Sequence, residues 1–133
     1  MEEVGRTGRT DSLREELESY LAIPGMQAAV LISDDGLVVS SASLPGVDTV
    51  GIAALAVDTV TSAQRFGLQV GAGYLDMMSI EFQKLTVVLV PFTRDVMLAL
   101  IALPGSLSTL RSRVGKHVCA ERESPQHPDE GAQ

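Results

Sequence analysis

The chain predicts an α/β sandwich: a five-stranded, mostly antiparallel sheet covered by helices on both faces, in the order α, β, β, α, β, β, β, α. Three observations predict it. Five short apolar runs are separated by turn-forming residues, and none is long enough to span a membrane. Runs such as TVVLV and VMLALIAL are apolar at consecutive positions, so both their faces must be buried, which demands helices above and below the sheet. Three further segments space their apolar residues at helical intervals.

The first helix is expected from about Ser12 to Leu21. Ser12 and Glu15 form a capping box, and Leu13, Leu17, Tyr20 and Leu21 share one face. Ile23, Pro24 and Gly25 stop it. The segments MQAAVLIS and LVVSSA then flank Asp34, Asp35 and Gly36, a hairpin in which Gly36 supplies positive φ. A long helix follows over 48–67, with Asp48 as N-cap and Gly67 near its end. After the loop LQVGAG come LDMMSIEF, LTVVLVPF and VMLALIAL, read as a three-strand meander. Ser106 or Ser108 caps a last helix whose apolar side holds Leu107, Leu110, Val114 and Val118, with Arg111, Arg113 and Lys116 towards its C-terminal end.

The 133 residues suit one domain, and its formal charge of -7 gives no electrostatic footprint for nucleic acid or an anionic membrane. Charge is concentrated at the ends. Residues 23–110 carry only seven acids and three bases, where average composition would supply roughly twice as many charges. The division predicted is a flexible arm over 1–11, a domain over 12–119 and a disordered tail over 120–133, the last because AERESPQHPDEGAQ has no apolar period and holds two prolines. MEEVGRTGRT lacks the apolar run of a signal peptide, so no membrane insertion and a cytoplasmic protein are expected. The single Cys119 excludes an internal disulfide framework and suits a reducing compartment.

The long helix carries only Asp48 at its start and Asp58 and Arg65 inside. A surface helix of a lone domain has one apolar stripe and one charged face; this one has two apolar stripes. Ile52, Leu55, Ala56, Thr59, Ala63 and Phe66 form the side expected to pack on the sheet. Val50, Ala53, Ala54, Val57, Val60, Thr61 and Gln64 form the second, and Gly51, Asp58, Ser62 and Arg65 the narrow band suited to water. A second apolar stripe marks an interaction surface. LDMMSIEF opens the meander, so it is expected at a sheet edge, with Asp76 and Glu81 guarding it and Met78 and Ile80 available to a partner. A symmetric homodimer uses both features at once.

On these residues the chain resembles the Roadblock/dynein light chain family, in particular its small bacterial members. The resemblance spans about residues 12–119 and rests on the order of elements, the apolar strand ending in Ser33, Asp34, Asp35, Gly36 and Leu37, the Ala-rich central helix and the meander. It implies a sandwich of profilin-like shape, a homodimer joined through the central helix and the edge strand, and a regulatory role beside a small Ras-like GTPase, as scaffold or activator.

Enzyme chemistry is not expected. The only histidines, His117 and His127, lie at or beyond the end of the last helix, leaving no core imidazole as general base. His117 and Cys119 fall short of a structural zinc pattern, and Asp34 with Asp35 read as a turn rather than a cation loop. The glycines of GLQVGAG follow a helix and precede a strand, the reverse of a phosphate-binding loop. No catalytic, cofactor-binding or metal-binding residue is therefore assigned. The alternative function is a ligand-sensing or signalling module of the same shape without a GTPase partner, which needs a polar-lined pocket that this dry centre is poor in residues to build.

Overall fold

The computed structural model describes residues 13–122, so the arm over 1–11 and the tail beyond Arg122 lie outside the described residues, as do Ser12 and His127. A helix over 13–21, α1, leads through the Ile23-Pro24-Gly25 turn into β1 (Met26–Ser33) and β2 (Val38–Ser43). The long helix α2 (Thr49–Gln69) follows, then β3 (Met78–Glu81), β4 (Thr86–Pro91), β5 (Val96–Ala102) and α3 (Leu107–Arg122). The five strands form one sheet in the order β2-β1-β5-β4-β3, and every neighbouring pair is antiparallel.

Period-two alternation divides the central strands between two apolar layers. Ala28, Val30 and Ile32 of β1 and Met97, Ala99 and Ile101 of β5 face α2, where Ala53, Ala56 and Val60 pack on them. Ala29, Leu31, Leu98, Leu100 and Ala102 face the other way, beneath Leu17 and Tyr20 of α1 and Leu110 and Val114 of α3. Both terminal helices thus share one face and the middle helix covers the other. Met77 packs in the α1/α3 layer and Met78 in the α2 layer, opposite sides as strand alternation requires.

Polar contacts position α3. The Arg113 guanidinium stands 5.0 Å over the Tyr20 ring and donates to Ser19 Oγ at 2.8 Å, and Arg111 donates to Ser79 Oγ of β3 at 3.2 Å. Burial pushes the Tyr20 hydroxyl above its ordinary pKa of 10.0; Arg113 pulls it down and Glu16 adds to the rise. Ser106 precedes α3, its carbonyl accepting from Leu110 N–H at 3.0 Å while its hydroxyl donates across the fold to the Pro24 carbonyl at 3.0 Å.

Three boundaries differ from expectation. β3 is half the length of LDMMSIEF, because Leu75 N–H donates to Gln64 Oε1 at 2.8 Å and so ties the first part of that segment to α2. α2 runs past Gly67 to Gln69 and closes with a pair of bonds, Ala72 N–H to the Gly67 carbonyl at 2.7 Å and Gly71 N–H to the Leu68 carbonyl at 3.2 Å, with Gly71 at φ +73°. Gly67 serves instead as a close approach, since a Cβ there would stand 2.8 Å from the Gly73 carbonyl oxygen. α3 continues to Arg122, into the stretch expected to be disordered, because Ala120, Glu121 and Arg122 are strong helix formers and the first proline comes only at 125.

Candidate functional site

The surface of interest is built on α2, and its first turn is set locally. Asp48 Oδ1 accepts from Gly51 N–H at 3.0 Å, satisfying one of the donors a helix start leaves open. The β1–β2 turn comes up beside this end. Gly36, at φ +90°, lies against the helix, a Cβ there standing 3.9 Å from the Ala54 Cα.

The two stripes of α2 do not divide as the sequence suggests. Ala53 is fully buried, and Val60 and Ala56 join it on the sheet. Val57 is half-buried in the same layer, and Gln64 is turned towards Leu75. Of the stripe expected to be free, only Val50, at 71% exposure, Ala54 and Thr61 face solvent. Conversely, Leu55 at 68% and Phe66 at 70% stand outside, although helical period assigns them to the side that packs on the sheet. Small residues decide this seat. Ala53 and Ala56 bring the helix close to Ala28 and Ala99, all four almost wholly buried, and a Leu or Phe in their place would hold the layers apart.

At about 100° per residue, the exposed surface of α2 forms two flanks. Val50, Ala54 and Thr61 lie on one, which the Gly36–Ala54 contact turns towards the β1–β2 hairpin. Leu55, Ser62 and Phe66 lie on the other, with Thr59 half-buried at its margin. The second flank could have been recognised in the sequence only by knowing which stripe of alanines meets the sheet.

The two sheet edges also differ. β2 has a bulge, with Ile32 opposite Val38 and Leu31 opposite Ser40, so Val39 is the extra residue. β3 pairs with β4 in unbroken register from Met78–Leu89 to Glu81–Thr86, and its outer side is unpaired. Bulged edges discourage strand addition and regular ones permit it. Met78 and Ile80 lie half-buried on this edge, Met78 packed against the α2 layer and Ile80 opposite Val87.

Catalytic geometry does not assemble elsewhere among the described residues. No group of three or more His, Cys, Asp or Glu is placed to hold a metal there. The side chains of His117 and Cys119 lie outside those described. A cleft of about 20 Å³ between α1 and the β4–β5 turn, lined by Leu13, Glu16, Leu17, Tyr20, Leu31, Phe92 and Leu98, has room for a water or two rather than a metabolite. Among the described residues no helix is long and apolar enough to cross a membrane.

An antiparallel five-stranded sheet between one helix and two defines an α/β sandwich, here with exposed apolar helix surface and a regular free sheet edge. The Roadblock/LC7 domain family matches residues 13–102, and the chain belongs to that family. Among solved structures it is similar to a Roadblock/LC7 domain from Streptomyces avermitilis, at 25% identity over 74% of this chain and 84% of that one, with a TM-score of 0.66. It shares its fold with Myxococcus xanthus MglB (22% identity, 70% and 71% coverage, TM-score 0.65) and with the gliding protein MglB of Thermus thermophilus (17%, 78% and 83%, 0.65). No curated protein sequence matches the chain.

Proposed function

We propose that the protein is a non-enzymatic, homodimeric regulator of a small Ras-like GTPase, acting as a scaffold or activating partner in bacterial signalling or polarity, in the cytoplasm. The observation that carries the association is the flank of α2 on which Leu55 and Phe66 stand exposed, together with a regular, unpaired edge strand, β3. Contiguous apolar surface of this kind favours a partner. A two-fold axis beside β3 extends one sheet through two copies and brings the two α2 helices together, an isologous contact. Val50, Ala54 and Thr61, exposed on the other flank, remain available for the GTPase, whereas Ala53 and Val60 are used within the chain's own core.

The GTPase itself is inferred from the family, whose bacterial members work beside such enzymes. An MglB of the same fold, 15% identical with a TM-score of 0.64, is described in a tetrameric arrangement, which supports self-association as a property this architecture allows. If hydrolysis is stimulated, the protein does so by positioning the GTPase's own residues.

The test uses the purified full chain and a small Ras-like GTPase from the same organism, loaded with GTPγS or GDP. Light scattering is expected to give twice the 14.1 kDa of one chain at micromolar concentration. Immobilised protein is expected to retain the GTPγS-loaded form in preference to the GDP-loaded form. A mass of one chain removes the dimer, and failure to retain either nucleotide form removes the GTPase.

A further inference from the structure

We infer that one end of the sandwich, tipped by Leu44, Leu103, Leu85 and Phe82, docks peripherally on the surface of a lipid bilayer, independently of the dimer and the GTPase proposed above. Hydrogen bonds set the strand termini of this end in a row. Leu44 N–H, just beyond β2, donates to the Gln27 carbonyl of β1 at 2.9 Å, and Leu103 N–H, just beyond β5, donates to the Gly25 carbonyl at 2.8 Å. Leu85 continues the β4–β5 register, in which Thr86 faces Ala102, and so lies opposite Leu103. Phe82 N–H, just beyond β3, donates to the Leu85 carbonyl at 2.8 Å. In sheet order the end reads Leu44, Gly25 with Pro24, Leu103, Leu85 and Phe82, and the four large side chains are between 36% and 58% exposed. Strands about 4.8 Å apart spread that row over about 19 Å.

Three turns at this end repeat one pattern of apolar residue, proline and glycine: Ile23-Pro24-Gly25, Leu44-Pro45-Gly46 and Leu103-Pro104-Gly105. Their glycines have φ of +90°, +88° and +100°, as the third position of a type II turn requires. Met26 N–H closes the first turn on the Ile23 carbonyl at 3.2 Å, and Val47 N–H closes the second on the Leu44 carbonyl at 3.4 Å. Proline and the turn bond fix these residues in advance, so burying them on a partner costs little ordering entropy.

Charge separates the two ends of the sheet. At the opposite end, where Ser33 faces Val96, the β1–β2 turn carries Asp34 and Asp35 and the β4–β5 turn carries Arg94 and Asp95, all exposed. Among residues 22–25, 43–46, 82–85 and 102–109 only Lys84 is charged; Glu81, the last residue of β3, lies one position inward. Carboxylates at the tips would have to shed their hydration to enter a bilayer, and here the tips hold none. Leu and Phe side chains reach the acyl boundary while the Lys84 ammonium stays among headgroup phosphates. A protein partner fits this end less well. Each side of a stable protein interface gives about 800 Å², more than four partly exposed side chains and three prolines supply, and a fluid bilayer needs no complementary cavity to receive a row of loop tips.

The chain has no tryptophan, so a single introduced one reports its own surroundings. The test uses the full chain with Leu103→Trp, or with Leu37→Trp at an exposed position of the opposite end, mixed with phosphatidylcholine vesicles. Leu103→Trp is expected to shift its emission to shorter wavelength and to be quenched by brominated acyl chains, and Leu37→Trp to show neither change. In flotation with the same vesicles the parent is expected to rise with the lipid at high salt as at low, because the contact is apolar. Leu44→Asp combined with Leu103→Asp is expected to cut the partition coefficient by about 30-fold or more, and Leu37→Asp to stay within about 3-fold of the parent. All three positions are exposed, so circular dichroism is expected to show an unchanged fold. A parent that does not float, or a Leu103→Trp chain that keeps its aqueous emission, overturns the bilayer contact. Equal losses in the double variant and in Leu37→Asp overturn its placement at this end.

Discussion

Gly25→Ala tests the junction that holds the two ends of the domain together. Gly25 sits at φ +90°, its carbonyl accepts from Leu103 N–H at 2.8 Å, and a Cβ added there would stand 2.7 Å from Ser106 Oγ. Two costs follow. A residue with a Cβ in left-handed backbone costs about 1–2 kcal/mol. Ser106 must also rotate away, which forfeits its 3.0 Å bond to the Pro24 carbonyl, worth about 0.5–1.5 kcal/mol net. The substitution is therefore expected to destabilise the domain by about 2–3 kcal/mol. Ser106→Ala alone is expected to cost only about 1 kcal/mol, the bond without the backbone strain. In the combined variant the clash is gone and the bond is lost only once, so the cost stays near that of Gly25→Ala, about 1 kcal/mol short of additivity. Equilibrium urea unfolding at one fixed protein concentration measures all three, because association raises the apparent stability. A cost below about 1 kcal/mol for Gly25→Ala, or strict additivity in the pair, would refute the contact as the cause.

Two further outcomes are expected. Asp48→Ala removes the acceptor of the Gly51 N–H at the start of α2 and should lower stability by about 0.5–2 kcal/mol, whereas Asp48→Asn should keep most of it; equal losses in urea unfolding would show that the cap does not matter. Burial raises the Tyr20 pKa in the folded chain, so above pH 10 the unfolded chain releases this proton first and binds fewer protons than the folded one. The Tyr20 contribution to stability is therefore whole below the unfolded value and is lost as pH rises through the folded one, and Tyr20→Phe should flatten the alkaline fall in unfolding free energy. An identical alkaline slope in parent and variant would assign that fall to other groups.

Much of the architecture was legible before any coordinates. Doubly apolar strands required helices on both faces, and Asp34-Asp35-Gly36 marked the hairpin through the one residue type that tolerates its φ. The N-cap at Asp48 was equally local, needing only a short side chain one step before the helix. The position of the meander's first strand at a sheet edge followed from sequence order. The exit of α2 was less accurate: Gly67 and Gly71 both look like stops, and only the approach of Gly73 explains why the chain passes one and turns at the other.

The candidate surface shows where such reasoning ended. Periodicity found two apolar stripes on α2, but both satisfy the same period, so pattern alone could not say which one meets the sheet. The helical period assigned Leu55 and Phe66, with Ala56, to the inner side, and the structure seats Ala53, Ala56 and Val60 there instead.

The amino-acid order by itself determined the elements, their succession and the surplus of apolar helix surface, because turn chemistry, capping and hydrophobic period act over a few neighbouring residues. Only the tertiary structure decided which side of α2 is free, because that choice depends on how closely alanines of the helix fit alanines of β1 and β5, residues far apart in the chain whose sizes matter only once they touch.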